Sequence, residues 1–341
     1  MSRRGGSGRR PPVKKSHVSV SPRLRVIRSL PPAPRRPEGV RWVRSDGSPN
    51  WSQRLYEGRM EAASLASRPP IGVHDSSTIL EAAETMAKHR VRGLVVTDAK
   101  SRLNGLVVST DMVNYLGGGE YYNIVVNRHK GNIFSALRDE RVVSIANPSP
   151  IHVRVDARLE EIVEIMVKEG VGILPVVNFE GITYGVITEH DVVRALGKEY
   201  VGISVGQVSS KSIVAVGVED TIKRAAELMV RHGFRRLPVV GEDGGIKGMV
   251  TAKDIVSLFG THRAFEYSTS GNIEEVLRMP VYEIMSPGIV TVEEYRDVSE
   301  AAKRMEEYGT SGLIVVDEDG NATGIITERD VLIAIALGGS K

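Results

Sequence analysis

The sequence predicts an α/β (α+β) protein made of four copies of one β-α-β-β-α unit, and three observations predict it. A methionine recurs inside an amphipathic run, as Met86, Met166, Met229 and Met305. An aspartate follows each after the same 25 residues, as Asp111, Asp191, Asp254 and Asp330, with no gap in any copy. Between the two markers stands an apolar strand: Gly93-Leu94-Val95-Val96, Leu174-Pro175-Val176-Val177, Leu237-Pro238-Val239-Val240 and Leu313-Ile314-Val315-Val316. One such unit buries too little apolar area to be stable alone, so the copies are expected to pack as pseudo-symmetric pairs.

Each copy opens on a short β-branched run: Ile71–Val73, Ile151–Val155, Ile213–Val216 and Ile289–Val292. The amphipathic helix carrying the marker Met comes next, and the Met belongs to the core. After the apolar strand, a polar or Gly-containing turn leads into a second strand that ends at the Asp. The helix beyond the Asp is apolar on one face, as in Val192, Val193, Ala195 and Leu196. A glycine stands six residues past the Asp in three copies, Gly117, Gly197 and Gly260, where a left-handed C-cap is expected. Copy four runs on to Gly338-Gly339.

The connections alternate in length. From an Asp to the next marker Met the chain takes 55, then 38, then 51 residues. Both long connectors contain Gly-Asn-Ile-x-x-x-Leu-Arg, starting at Gly131 and Gly271, with the Asn expected to cap a small helix. The chain therefore reads as a duplicated pair. The expected layout is repeat 1 over 69–117, a connector over 118–146, repeat 2 over 147–197, repeat 3 over 204–260, a connector over 261–280 and repeat 4 over 281–339.

Residues 1–59 differ in kind. They hold 15 Lys+Arg against 3 Asp+Glu, while residues 60–341 hold 30 against 39. The overall charge of +3 is thus a basic tail on an acidic body. The tail is rich in Arg, Pro and Gly and poor in periodic apolar residues, which predicts disorder. Three readings of it are open: an arm for nucleic acid or another anionic surface, a solvated tail, or sequence upstream of a true start near Met60.

Composition removes several chemistries. Apolar residues make up 41% and aromatics 5%, so the core is expected to be aliphatic. There is no Cys, which excludes disulfides, thiolate catalysis and Cys-ligated zinc. His74, His89, His129, His152 and His232 show no metal-ligand spacing. No Walker-type loop or nucleophile elbow is present. No apolar run approaches the roughly 18 residues of a membrane span, and the amino terminus has no apolar h-region. A cytoplasmic protein without a catalytic or membrane domain is expected.

The second strand of each copy ends in a recurring turn. Copies two to four read Gly-h-h-Thr-x-x-Asp, with h apolar, ending in Thr188/Asp191, Thr251/Asp254 and Thr327/Asp330. Thr at a strand end can cap the next helix or face a phosphate, which the helix N-terminus also favours. An Asp has two acceptor oxygens, suited to the two hydroxyls of a ribose. The same Thr-x-x-Asp spacing also serves as a plain capping arrangement. Copy one departs: Val108 replaces the Thr, although Asp111 remains. Ser109 comes one residue late, and such a slip in a strand points to the other face.

Taken together, the apolar strand, the turn and the pairing over about residues 69–339 resemble the CBS domain, named after cystathionine β-synthase. Paired CBS repeats form Bateman modules, which commonly bind AMP, ADP, ATP or S-adenosylmethionine in clefts between two repeats. The resemblance implies that Asp191, Asp254 and Asp330 hold ribose hydroxyls and that Thr188, Thr251 and Thr327 contact phosphate or ribose. It implies an empty copy-one site, or one where Asp111 takes an adenosine-type ligand without a phosphate bond. Candidate phosphate contacts are His190, Lys253 and Arg329, each just before its Asp, with Arg235, Arg236 and Arg92 before the apolar strands. Copies two and four have Gly172 and Ser311 there, so copy three, with Thr, Lys and a double Arg, is expected to anchor the phosphate.

Four repeats in one chain resemble in layout the gamma subunit of AMP-activated protein kinase. The expected function is a non-enzymatic adenine-nucleotide sensor that acts on an unidentified protein partner, either as a disc within one chain or as a homodimer. Two alternatives stand beside it. One is a ligand-controlled regulator bound to nucleic acid through the tail; the other is a scaffold with vestigial sites.

Overall fold

The computed structural model describes residues 51, 52, 55, 60–197 and 199–338. Most of the expected tail lies outside them. At its end the expectation of disorder is corrected: Trp51 is 4% exposed and Leu55 is 0% exposed, both inside a core. The Ser52 amide donates to Ala336 O at 2.7 Å, which ties this segment to the last helix of the chain.

Each copy forms a small mixed sheet with its middle strand pairing both ways. In copy one, β1 (Gly72–His74) runs parallel to β2 (Gly93–Thr97), and β2 runs antiparallel to β3 (Leu103–Val108). The crossover that a parallel pair requires is α1 (Ile79–His89), and α2 (Ser109–Val113) follows β3. Copy two repeats this with β4 (Val153–Arg154), α3 (Leu159–Lys168), β5 (Ile173–Val177), β6 (Thr183–Thr188) and α4 (Glu189–Leu196). Copy three has β7 (Val216–Gly217), α5 (Ile222–His232), β8 (Arg236–Val240), β9 (Ile246–Thr251) and α6 (Ala252–Gly260). Copy four has β10 (Ser286–Pro287), β11 (Thr291–Glu293), α7 (Val298–Tyr308), β12 (Gly312–Val316), β13 (Ala322–Thr327) and α8 (Glu328–Leu337). The strands β1, β4, β7 and β11 overlap the β-branched runs that open their copies.

The strand patterns follow their surroundings. Every residue of β5 and β12 is buried, because helices cover one face and a second sheet covers the other. β6 and β13 alternate between buried and half-buried residues. Local capping sets the helix starts. Thr78 and Glu81 form a reciprocal box at α1, with bonds of 3.2 and 2.8 Å.

Pairing within 1/2 and within 3/4 is made by exchanged lead-in segments. Ser67, ahead of copy one, bridges Val186 on the sheet edge of copy two; Asn147, ahead of copy two, bridges Leu106 of copy one. In the other pair, Ser210 bridges Ile325, and β10 pairs with Gly248 and Met249 of β9. One edge of each sheet, at β3, β6, β9 and β13, is thereby covered by its partner's lead-in.

Helices join the two pairs. One core combines copies one and three, including Leu94, Met86, Leu237 and Met229; another combines copies two and four, including Leu174, Met166, Leu313 and Met305. In copies two and three the glycine after the Asp serves this packing rather than the expected left-handed cap. Gly260 lies inside α6, and the chain turns left-handed two residues later at His262 (φ 68°). A Cβ on Gly260 would stand 2.2 Å from Ala83 O of α1, so the side chain is absent to let the helices touch. A Cβ on Gly197 would likewise approach Ala302 of α7 within 3.0 Å. Only Gly117 of the three has positive φ, at 128°.

The shared connector motif also has a tertiary meaning. Ile133 N donates to Gly271 O at 2.8 Å and Ile273 N donates to Gly131 O at 2.9 Å, so the two connectors bond reciprocally. Asn132 caps its helix through Phe134 N and Ser135 N, and Asn272 caps its own through Glu274 N. The four repeats thus close on one another within a single chain. No helix among the described residues is long and apolar enough to cross a membrane.

Candidate functional site: four turns around a charged centre

In all four copies the Asp is the third helical residue and turns back on its own strand end. Its Oδ2 accepts the amide of Val108, Thr188, Thr251 or Thr327 at 2.8 Å. The hydroxyls of Thr188, Thr251 and Thr327 donate to the same oxygen at 2.7, 2.6 and 2.8 Å. The capping role foreseen for this spacing is therefore real, and it uses one carboxylate oxygen. The other oxygen of Asp191 accepts from Ser67 Oγ at 3.3 Å, a bond supplied by the exchanged lead-in.

Copy one differs as its sequence suggests. Val108 is half-buried and offers only its amide, while Ser109 turns inward and is 3% exposed. Burial pushes the Asp111 carboxyl up to about 6, with the Val108 amide opposing. The folded state then binds a proton between the ordinary carboxylate pKa and about 6, so this group removes stability as pH rises through that window. Asp111→Asn keeps an acceptor for Val108 and is expected to be more stable than wild type at pH 7. Urea unfolding at pH 5 and pH 7 checks this, with the gap between the two proteins narrowing at the lower pH.

The residues just after the Thr position, and those just before the apolar strands, meet at the centre of the four repeats. Glu189, at the start of α4, is 0% exposed. Its carboxylate accepts from Arg92 at 3.3 Å, from Arg235 at 2.8 Å and from Arg329 at 2.7 Å, which come from copies one, three and four. Glu328, 3% exposed, accepts from Arg92 at 3.2 Å and contacts His190 Nδ1 at 2.9 Å. Burial alone would raise the Glu189 carboxyl, but the three guanidiniums hold it far below the usual carboxylate range. Burial likewise opposes the charge on Arg235, and Glu189 outweighs it, so its pKa is raised. His190 is raised by its bond to Glu328.

The adjacent arginines of copy three part company because successive side chains of an extended chain point to opposite faces. Arg235 goes to Glu189 of copy two, whereas Arg236 bonds Ser311 Oγ and lies against Gly312 of copy four. Burial, followed by repulsion from Arg235, pushes the Arg236 guanidinium down to about 10. Lys253 makes no ion pair within 4 Å among the described residues; burial pushes its ammonium pKa down, with Asp254 opposing and Arg236 and Arg92 adding to the shift. Burial raises Asp254 despite its two bonds from Thr251.

Gly172 and Ser311, which occupy the Arg92 and Arg235 position in copies two and four, leave room for these crossings. Arg92 donates to Gly172 O at 3.0 Å, and a Cβ on Gly172 would stand 2.8 Å from the Glu189 carboxylate. All six basic candidates from the sequence thus belong to one central cluster, apart from any surface role. Sequence reasoning missed the carboxylates Glu189 and Glu328. The signal existed: Arg92 and Arg235 alternate with Glu189 and Glu328 around the copies. A surface groove lined by Glu84, Lys88, Gly260 and His262 contains none of the turn Asp residues.

Four sheet-and-helix repeats, closed by exchanged edges and converging on strand-to-helix turns, define a protein whose candidate sites lie between copies. The chain belongs to the CBS domain family, whose profile matches residues 62–118, 142–198, 205–260 and 281–337. The first match starts ahead of residue 69 and includes the short helix Ala62–Leu65 and Ser67, which bridges Val186 of copy two. The chain is 34% identical over 264 residues to the uncharacterized protein MJ1225 of Methanocaldococcus jannaschii, covering 77% of this chain and 94% of that one. The crystal structure of MJ1225, described as a proposed archaeal homologue of g-AMPK, superposes with a TM-score of 0.74 over 80% of this chain and 99% of that chain. An uncharacterized 33.4 kDa protein of a ribosomal RNA operon in Thermofilum pendens is 31% identical over 266 residues, covering 77% and 87%. A conserved protein from Pyrococcus horikoshii shares the fold at 18% identity, with a TM-score of 0.51.

Proposed function

We propose that this chain is a cytoplasmic, non-enzymatic sensor that binds an adenosine nucleotide in the cleft of Thr251 and Asp254. The observation that carries the reading is the charge at that turn. Arg236 is held by a hydroxyl, and neither it nor Lys253 has a carboxylate partner within 4 Å among the described residues. Asp254 spends only Oδ2 on its cap, which leaves Oδ1 for a ribose hydroxyl. AMP, ADP and ATP supply the phosphate that these cations would meet, and S-adenosylmethionine supplies the same ribose with a cationic substituent, which they would repel. The likeness to MJ1225 supports the same reading. Thr188/Asp191 and Thr327/Asp330 provide further ribose-type sites, whereas the Asp111 cleft, with no Thr and no cation acting on its carboxyl among the described residues, suits a ligand without phosphate.

Binding between two copies regulates a partner protein only if the ligand prefers one arrangement of the copies. A 100-fold preference corresponds to about 2.7 kcal/mol. Calorimetry with AMP, ADP, ATP, S-adenosylmethionine and adenosine tests the reading. Asp254→Ala is expected to weaken AMP binding about 10- to 100-fold, the worth of hydrogen bonds to a charged group. Equal binding by wild type and Asp254→Ala, or no binding by any nucleotide, would overturn it.

A further inference from the structure

The phosphate-sized feature at the centre of this protein is already filled by a side chain. Glu189 presents two oxygens to guanidiniums from three other repeats, with Arg235 on Oε2 and Arg329 on Oε1. That is the donor set a phosphate monoester would take. Arg235 also feels Asp330, and Arg329 immediately precedes Asp330 in α8, so both cations border the Thr327–Asp330 cleft. Glu328 stands in the corresponding relation to the Thr188–Asp191 cleft, holding His190 and Arg92. At the Thr251–Asp254 cleft, Arg236 and Lys253 make no ion pair with either glutamate among the described residues.

Resting on the nucleotide reading above, we infer that Glu189 and Glu328 are internal phosphate mimics that set which clefts accept a 5′-phosphate. The Thr251–Asp254 cleft takes a phosphorylated nucleoside directly. A phosphate at the Thr327–Asp330 cleft must first draw Arg235 and Arg329 away from Glu189, and one at the Thr188–Asp191 cleft must draw His190 and Arg92 from Glu328. Because each glutamate binds residues of other repeats, such an exchange loosens the ties across the centre. Occupancy of a gated cleft is thereby coupled to the arrangement of all four copies. Linkage makes the coupling reciprocal: whatever weakens the glutamate's hold strengthens phosphate binding.

The test is calorimetric titration of the full chain with AMP and, separately, with adenosine. Wild type is expected to bind AMP tightly at one phosphate-dependent site, which Asp254→Ala weakens about 10- to 100-fold. Glu189→Gln keeps the shape and one acceptor but lacks the charge. It is expected to tighten AMP binding at a second site by about tenfold or more, within the usual range of coupling between sites. That gain should vanish in Glu189→Gln with Asp330→Ala, and adenosine binding should not change. A merely structural glutamate would alter AMP and adenosine alike. If Glu189→Gln fails to fold, Glu328→Gln carries the same test, its gain vanishing with Asp191→Ala. Wild type that binds AMP while the glutamine variants leave its stoichiometry and affinity unchanged overturns this inference alone. Wild type that binds no nucleotide overturns the functional reading beneath it.

Discussion

Glu189→Leu is expected to lower the unfolding free energy by about 3–5 kcal/mol, the cost of leaving a buried ion-pair partner uncompensated. The leucine fits the space, but Arg92, Arg235 and Arg329 then face one another across it. Burial lowers the Arg92 guanidinium, and it opposes the charge on Arg235, where Glu189 outweighs it. Urea denaturation at neutral pH reads the loss directly. Removing the cations as well should recover part of it, because the penalty lies in the unpaired charges. A Glu189→Leu protein as stable as wild type would show that water reaches the centre and solvates the arginines.

The second large effect is expected at a residue with no side chain. Gly260→Val places a branched group where even a Cβ would meet Ala83 O at 2.2 Å and Ala83 C at 2.5 Å. Neither is a flexible side-chain end, so α6 and α1 must separate. Overpacking of this kind costs about 1–3 kcal/mol, and a backbone obstacle places the valine at the upper end. The separation also opens the core shared by copies one and three, where Phe259 and Ala83 are 0% exposed. Differential scanning calorimetry should show a lowered transition, or two transitions if the pairs come apart. Gly244→Ala, whose glycine has positive φ (74°) with nothing within 4 Å, serves as the comparison for a backbone effect without collision.

The elements were legible because they are written locally. The 25-residue interval from Met to Asp, the apolar strand between them and the Thr-x-x-Asp turn all depend on neighbours in sequence. The glycine after each Asp was misread for a related reason. A left-handed cap is the local explanation of such a residue, whereas Gly260 meets Ala83 and Gly197 meets Ala302, both far away in the chain. Trp51 and Leu55 were hidden within a basic, proline-rich segment, and only α8 packed against them reveals that they belong to a core.

The ring of charges lay at the boundary between the two kinds of information. Basic residues at the turns and before the strands were visible as candidates, and so was the loss of Thr to Val108 in copy one. By itself the sequence determined the repeat, its pairing and the chemical inventory of each turn, since periodicity and capping act over a few residues. The tertiary structure decided how that inventory is used. Arg92 reaches Glu189 across 97 residues and Glu328 across 236, and both contacts exist only because four turns converge. Charge pairing depends on distance in space and on burial, and neither is set until the repeats close on one another.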